Sequence, residues 1–182
     1  MSLVLFEICD HVAILTLNNP EKRNMLTLKV CSMISEFVAE AEKSDSVKAL
    51  IVTGNGSSFC AGGQLTDINP DKETLAGIYN GFLSIAQCQI PTIAAVNGPA
   101  VGVGVTMTLP MDIRLASEDA KFGFVFARRG LVPEAASSWF LPRLVGISKA
   151  LEWTYSGKVF SAEEAKEGGL IRSVHKPDEL LE

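Results

Sequence analysis

The sequence is poor in residues that hold metals: two histidines, His11 and His175, and four widely spaced cysteines, Cys9, Cys31, Cys60 and Cys88, with no CxxC pair. Neither a metal centre nor a disulfide scaffold is expected, and the cysteines read as reduced thiols. Blocks of like charge are missing too. With 16 basic and 21 acidic residues and a formal net charge of −5, the chain has no electrostatic footprint for nucleic acid. No apolar run approaches the roughly 18 residues of a membrane-spanning helix. The opening MSLVLFEICD lacks the basic start and long apolar stretch of a secretory signal. The phosphate-binding strings GxGxxG and GxxxxGK[ST] and the nucleophile elbow GxSxG are absent as well. These absences lead to the expectation of a soluble, cytoplasmic protein, an organelle being the alternative address. No cofactor, nucleic-acid partner or membrane span is expected.

What is present suffices for one domain over residues 1–182. The chain is 47% hydrophobic and 20% charged, which excludes a disordered tail and permits a sizeable core. Leu3 to Ile8 and Val12 to Leu17 read as a hairpin about the turn-prone Cys9-Asp10-His11. From Thr27 to Lys43, Val30, Met33, Ile34, Phe37, Val38 and Ala41 recur at spacings of three and four, one apolar stripe on a helix. Residues 49–52, 92–96, 112–116 and 170–174 are short buried-strand patterns. Helical patterns cover 73–86, 137–144, 148–155 and 162–167, with Ser161 as an N-cap and Gly168-Gly169 as a stop. Strands alternating with helices argue for an α/β domain with parallel pairing.

Two glycine-rich loops follow expected strands, residues 57–65 (SSFCAGGQL) and 97–104 (NGPAVGVG). Such loops at strand carboxyl ends can aim two backbone N–H donors at one oxygen. They can equally be tight turns that let helices pack closely. A third feature is the polar island 128–138, RRGLVPEAASS, in which Pro133 suits a first helical turn and Glu134 would sit at the positive end of the dipole. By itself that is a helix-start carboxylate. Cys60 lies beside the glycines without a histidine nearby in sequence, so it reads as a small buried thiol. Lys121, Arg128 and Arg129 fit either an anionic ligand or a solvated face.

Taken in order, the NxPxxxN stretch from Asn18 to Asn24, SFCAGG, AAVNGPAxGxG, DIRLAS, AKFG, GLVPE and SGKxxSAEEAxxxGL resemble the enoyl-CoA hydratase/isomerase family, the crotonases, over nearly the whole chain. The resemblance implies an α/β, crotonase-like spiral of ββα units and an acyl-CoA substrate whose coenzyme A is no separate cofactor. Relatives usually carry further C-terminal helices that build trimers. A C-terminal helical region missing or truncated here is therefore implied, with a homotrimer or dimer of trimers where that region is present.

The resemblance also assigns residues. The backbone N–H groups of Gly63 and Val103 would hold the oxygen of a thioester enolate, Val103 standing where many relatives have glycine. Lys22, Asn24, Ala61, Gln64, Leu65, Gly102 and Phe126 would contact substrate. The two glutamates with which hydratases handle water are replaced by Thr106 and Phe126, whereas Glu134 matches the single acid of 3,2-enoyl-CoA isomerases. Phe124, Phe126 and Trp139 would exclude water from it. The implied reaction is isomerisation of a 3-enoyl to a trans-2-enoyl thioester. The alternatives are another enolate reaction of the family (hydrolysis, dehalogenation or hydration) and a weak acyl-CoA or protein-binding module.

Overall fold

The alternation of Val12-Ala13-Ile14-Leu15-Thr16-Leu17 buries Ala13, Leu15 and Leu17 on one face, and this strand, β2 (Val12–Leu17), lies just inside the edge of the main sheet. The computed structural model, which describes residues 2–63 and 72–182, pairs it antiparallel with β1 (Val4–Cys9). The turn between them is the expected one: Asp10 and His11 both have positive φ, 44° and 74°, as two-residue hairpin turns favour.

Four parallel strands complete that sheet: β3 (Ala49–Gly54), β4 (Thr92–Val96), β6 (Ile113–Ser117) and β9 (Ser173–His175), in the order β1-β2-β3-β4-β6-β9. The crossovers are helical where the periodicity says so. Helix α1 (Leu28–Lys43) starts at Thr27, whose hydroxyl accepts from the Val30 N–H at 3.3 Å, and buries Val30, Cys31, Ile34, Val38 and Ala41. Met33 and Phe37 are partly buried at its margin, Phe37 stacked on Phe6 at 5.0 Å. Helix α2 (Lys72–Ala86) packs against α1.

Beyond β4 the chain makes a two-residue strand, β5 (Ala100–Val101), and one turn of helix, α3 (Val103–Thr106). Two three-residue strands, β7 (Lys121–Gly123) and β8 (Val159–Ser161), join β5 in a second sheet of order β5-β7-β8. Neither was expected from the sequence, because three residues are too few for a period-two pattern to show. Helices α4 (Ser137–Val145), α5 (Ile147–Ser156) and α6 (Ala162–Glu167) close the chain, with Ser161 capping the Glu164 N–H at 3.2 Å as its position predicts. Trp153 of α5 is fully buried, its ring 4.2 Å from Phe160 and 6.2 Å from Phe124, an aromatic block against the second sheet. The last strand begins at Ser173 rather than Leu170: Leu170 N–H still closes α6 on the Ala165 carbonyl at 2.8 Å.

The α/β assignment with parallel pairing therefore holds. One expectation does not. Pro133 and Glu134 precede α4 instead of opening it, since Ala135 and Ala136 stand between them at φ 50° and 54°. Left-handed backbone at two successive alanines cannot continue a right-handed helix, so the helix starts only at Ser137. Nothing in the helix-favouring Ala-Ala pair announces this.

Candidate active site

Because β3 and β4 are parallel neighbours, the loops that leave their carboxyl ends emerge side by side. The chain stitches them together. Cys60 and Ala100 form a parallel bridge, with Cys60 N–H donating to Pro99 O at 3.1 Å and Val101 N–H to Cys60 O at 3.0 Å. Asn97 adds a polar clasp: its Oδ1 accepts from Gly54 N–H, and its Nδ2 donates to Gly56 O, each at 3.0 Å. Asn24 completes the frame. Buried and at φ 54°, it donates from Nδ2 to Ser58 O at 2.7 Å and Asn55 O at 2.9 Å, while its Oδ1 accepts from Asn19 N–H at 2.8 Å. All of these groups face protein, so the structure gives Asn24 a loop-anchoring part.

Within this frame Gly63 and Val103 come together, the position of a Gly63 Cβ lying 3.5 Å from Val103 Cγ1. Leu26 N–H reaches the Gly62 carbonyl at 2.9 Å in the bridge beside Gly63, so the Gly63 N–H is left out of that bond. Val103 is the first residue of α3, where a helical N–H has no partner four residues back. Neither N–H donates to an acceptor among the described residues. The β-branched Val103 fits because the unusual conformation falls on its neighbour: Gly102 takes φ 58°, ψ −125°, and Val103 is helical. Gly104 is needed for a different reason, since a Cβ there would collide with the Cys60 carbonyl.

The carboxylate comes from the segment before α4. Thr106, the last residue of α3 and fully buried, donates its hydroxyl to Glu134 Oε1 at 2.7 Å. Burial pushes the Glu134 carboxyl above its ordinary value, partly offset by that hydrogen bond. The backbone turn holds it there, Ser137 N–H bonding to Glu134 O at 3.0 Å. Sequence reasoning treated Thr106 only as the replacement of a hydratase glutamate, and the fold makes it the partner of Glu134.

Next to this pair is a cavity of about 180 Å³ lined by Tyr79, Phe82, Thr106, Met107, Ala135 and Phe140, among others. It supplies the apolar surroundings that the sequence reading sought in other aromatics. Trp139 is 58% exposed with the Arg143 guanidinium over its ring at 3.3 Å, and Phe124 belongs to the Trp153 block. The signal for Tyr79 and Phe82 was available in the 73–86 stripe, which fits a plain core helix equally well. Phe126 is buried and lines neither this cavity nor the next one.

A second cavity of about 400 Å³ is lined by residues of both loops and of the turn before Asn24: Arg23, Ser57, Ser58, Ala61, Pro99 and Val101. Ala61 is thus placed at a cavity wall. Lys22 is exposed in the turn that precedes Asn24. Gln64 and Leu65 lie outside the described residues. The Cys60 thiol is pushed up to about 12 by burial, which leaves it protonated and unreactive. Among the described residues no three His, Cys, Asp or Glu side chains converge as metal ligands.

Comparison with known proteins gives the arrangement a context. The family model described as enoyl-CoA hydratase/isomerase matches residues 7–182. An enoyl-CoA hydratase of Alternaria alternata is 42% identical over 173 residues, which are 92% of this chain and 58% of that protein. The 1,2-epoxyphenylacetyl-CoA isomerase of Escherichia coli is 34% identical over 191 residues, 100% of this chain and 73% of the relative. The crystal structure of an enoyl-CoA hydratase/isomerase from Pseudoalteromonas atlantica superposes with a TM-score of 0.93 at 35% identity, covering 99% of this chain and 72% of the other. The chain therefore spans between roughly half and three quarters of the length of these relatives.

Proposed function

The chain belongs to the enoyl-CoA hydratase/isomerase family, and from that premise we propose that it is an acyl-CoA enzyme isomerising 3-enoyl to trans-2-enoyl thioesters, with Glu134 as its one acid/base. The single observation that carries this reading is the Thr106–Glu134 pair. Where hydratases would present a water-handling glutamate there is a hydroxyl, and that hydroxyl, on the wall of the cavity, holds the Glu134 carboxylate.

One carboxylate is enough for a 1,3-proton shift. Glu134 takes a proton from C2 of the thioester, and the electrons move into a dienolate whose oxygen is met by the N–H groups of Gly63 and Val103. The protonated carboxyl then returns the proton to C4, the double bond ends between C2 and C3, and no atom or electron is gained or lost. A carboxyl raised by burial is suited to both halves of that exchange. The step needs no cofactor besides the coenzyme A of the substrate. Thr106 fixes one carboxylate oxygen and leaves the other to move the proton.

Hydration is the second reading, favoured by the relatives that are named enoyl-CoA hydratases. Incubation with a 3-enoyl-CoA and, separately, a 2-enoyl-CoA in water separates the two by product. Isomerisation without comparable hydration is expected. Glu134→Gln should lower isomerase kcat about 100- to 10,000-fold while acyl-CoA binding persists. A variant retaining more than about a third of kcat would remove Glu134 from the mechanism. The same family relationship carries the proposal of a homotrimer. It is supported by exposed apolar side chains on α5, Ile147 at 62% and Tyr155 at 74%, and is checked by analytical ultracentrifugation.

A further inference from the structure

The cavity of about 180 Å³ that Thr106 shares takes rings from two helices, Phe82 of α2 and Phe140 of α4, and none of its described lining residues is Asp, Glu, Lys, Arg or His. The Thr106 hydroxyl is already engaged by Glu134 Oε1. Such a wall offers little to a charged or strongly hydrated group and favours hydrocarbon. The other cavity differs, because Arg23, Ser57 and Ser58 line it. Depth gives the apolar cavity a direction: Phe82, Thr106 and Met107 are buried, whereas Leu83, Ala86 and Ala136 on its lining are exposed and form a rim at solvent.

We propose that this cavity seats the substrate's acyl tail beyond C4 and makes medium-chain thioesters, with an acyl group of about ten carbons, the substrate class of the site. Helix α3 sets the register. Val103 opens it with an N–H that has no partner among the described residues, and Thr106 ends it one turn, or about 5 Å, further on. A thioester carbonyl held at the first leaves C4, three carbon–carbon bonds away, near the second. The fifth carbon then enters the cavity along its Thr106 wall. Capacity fixes the length: an apolar cavity of about 150 Å³ holds one benzene, so a volume of about 180 Å³ has room for about six or seven carbons. Carbons beyond those pass the rim at Leu83 and Ala86 and meet water, where they add nothing to binding.

This inference rests on the proposed acyl-CoA chemistry, and its first test needs no turnover. Saturated acyl-CoAs from butanoyl to tetradecanoyl, which bind without reacting, are titrated calorimetrically. Kd should tighten about three- to fourfold for each methylene added up to about ten carbons, and then level off. A constant Kd from butanoyl to decanoyl overturns the seat, and an undiminished gain through to tetradecanoyl overturns its size. The second test fills the rim. Ala86 is the exposed last residue of α2, so Ala86→Phe narrows the cavity without touching the core. The ratio of kcat/KM for 3-decenoyl-CoA to that for 3-hexenoyl-CoA should fall about tenfold, the worth of two buried methylenes. An unchanged ratio in a variant with the parent's circular dichroism contradicts the assignment of the cavity. If no acyl-CoA of the series binds, the acyl-CoA reading itself fails. If Glu134→Gln keeps its activity while the chain-length series holds, the isomerase step fails and the seat stands.

Discussion

Glu134 is held in a place that does not suit its charge, and this has a thermodynamic consequence apart from catalysis. Its folded-state pKa is raised by burial, so the native state binds the proton more tightly than the unfolded chain. The stability this group contributes is complete below the unfolded carboxyl value and is lost as pH rises through the folded one. Glu134→Gln, whose amide oxygen can still accept from Thr106, should therefore melt higher than the parent at neutral pH. The difference should vanish below about pH 4, under the ordinary glutamate value. Thermal melts at several pH values check this, and a difference that grows on acidification contradicts it. At Gly63 the expectations divide by what is removed. A Cβ there would meet Val103 Cγ1 at 3.5 Å, an ordinary contact, so Gly63→Ala should keep folding and most activity. Gly63→Pro takes away the N–H and should cost about 100-fold or more in kcat once circular dichroism has confirmed the fold.

Between elements, the site is supported by groups that line neither cavity. Arg114 on β6 is 9% exposed and directs its guanidinium to the carbonyls of Thr108, Leu109, Met111 and Leu170, joining the segment after α3 to the segment after α6. Its removal leaves these acceptors buried and unpaired. Arg114→Leu is expected to destabilise by about 3 kcal/mol or more in urea unfolding. A loss under about 1 kcal/mol would mean that water replaces the guanidinium. Helix α4 shows how an element boundary can be set from outside. Two left-handed alanines delay its start by a turn, and this places Glu134 in the bend facing Thr106 instead of in the first helical turn. Such backbone is tolerated at functional sites when its surroundings over-determine it.

On the scale of the molecule, both loops, Glu134 and the two cavities gather around α3 and the carboxyl ends of β3 and β4. An acyl-CoA that bridges them should stabilise the whole fold. At a hundredfold excess over Kd the linkage is about 2.7 kcal/mol, which for a chain of this size is a rise in Tm of roughly 5 to 10 °C. A saturated acyl-CoA that cannot react is the appropriate probe in a thermal-shift assay. No shift at saturating concentration would remove acyl-CoA as the ligand class. Periodicity and punctuation alone placed the hairpin, α1, α2, β4 and α6 within a residue or two, because one amphipathic face and one cap define each of them locally. The motifs singled out Gly63, Val103 and Glu134 as candidates, and the fold sets Gly63 beside Val103 and Glu134 against Thr106. The sequence by itself determined the sheet-forming and helix-forming segments and the residue types available for chemistry. Only the tertiary structure decided that Thr106 binds Glu134, that Tyr79 and Phe82 line the neighbouring cavity while Trp139 is exposed, that Asn24 anchors a loop, and that β5, β7 and β8 make a second sheet. Each of these depends on contacts between residues far apart in the chain, which no local pattern encodes.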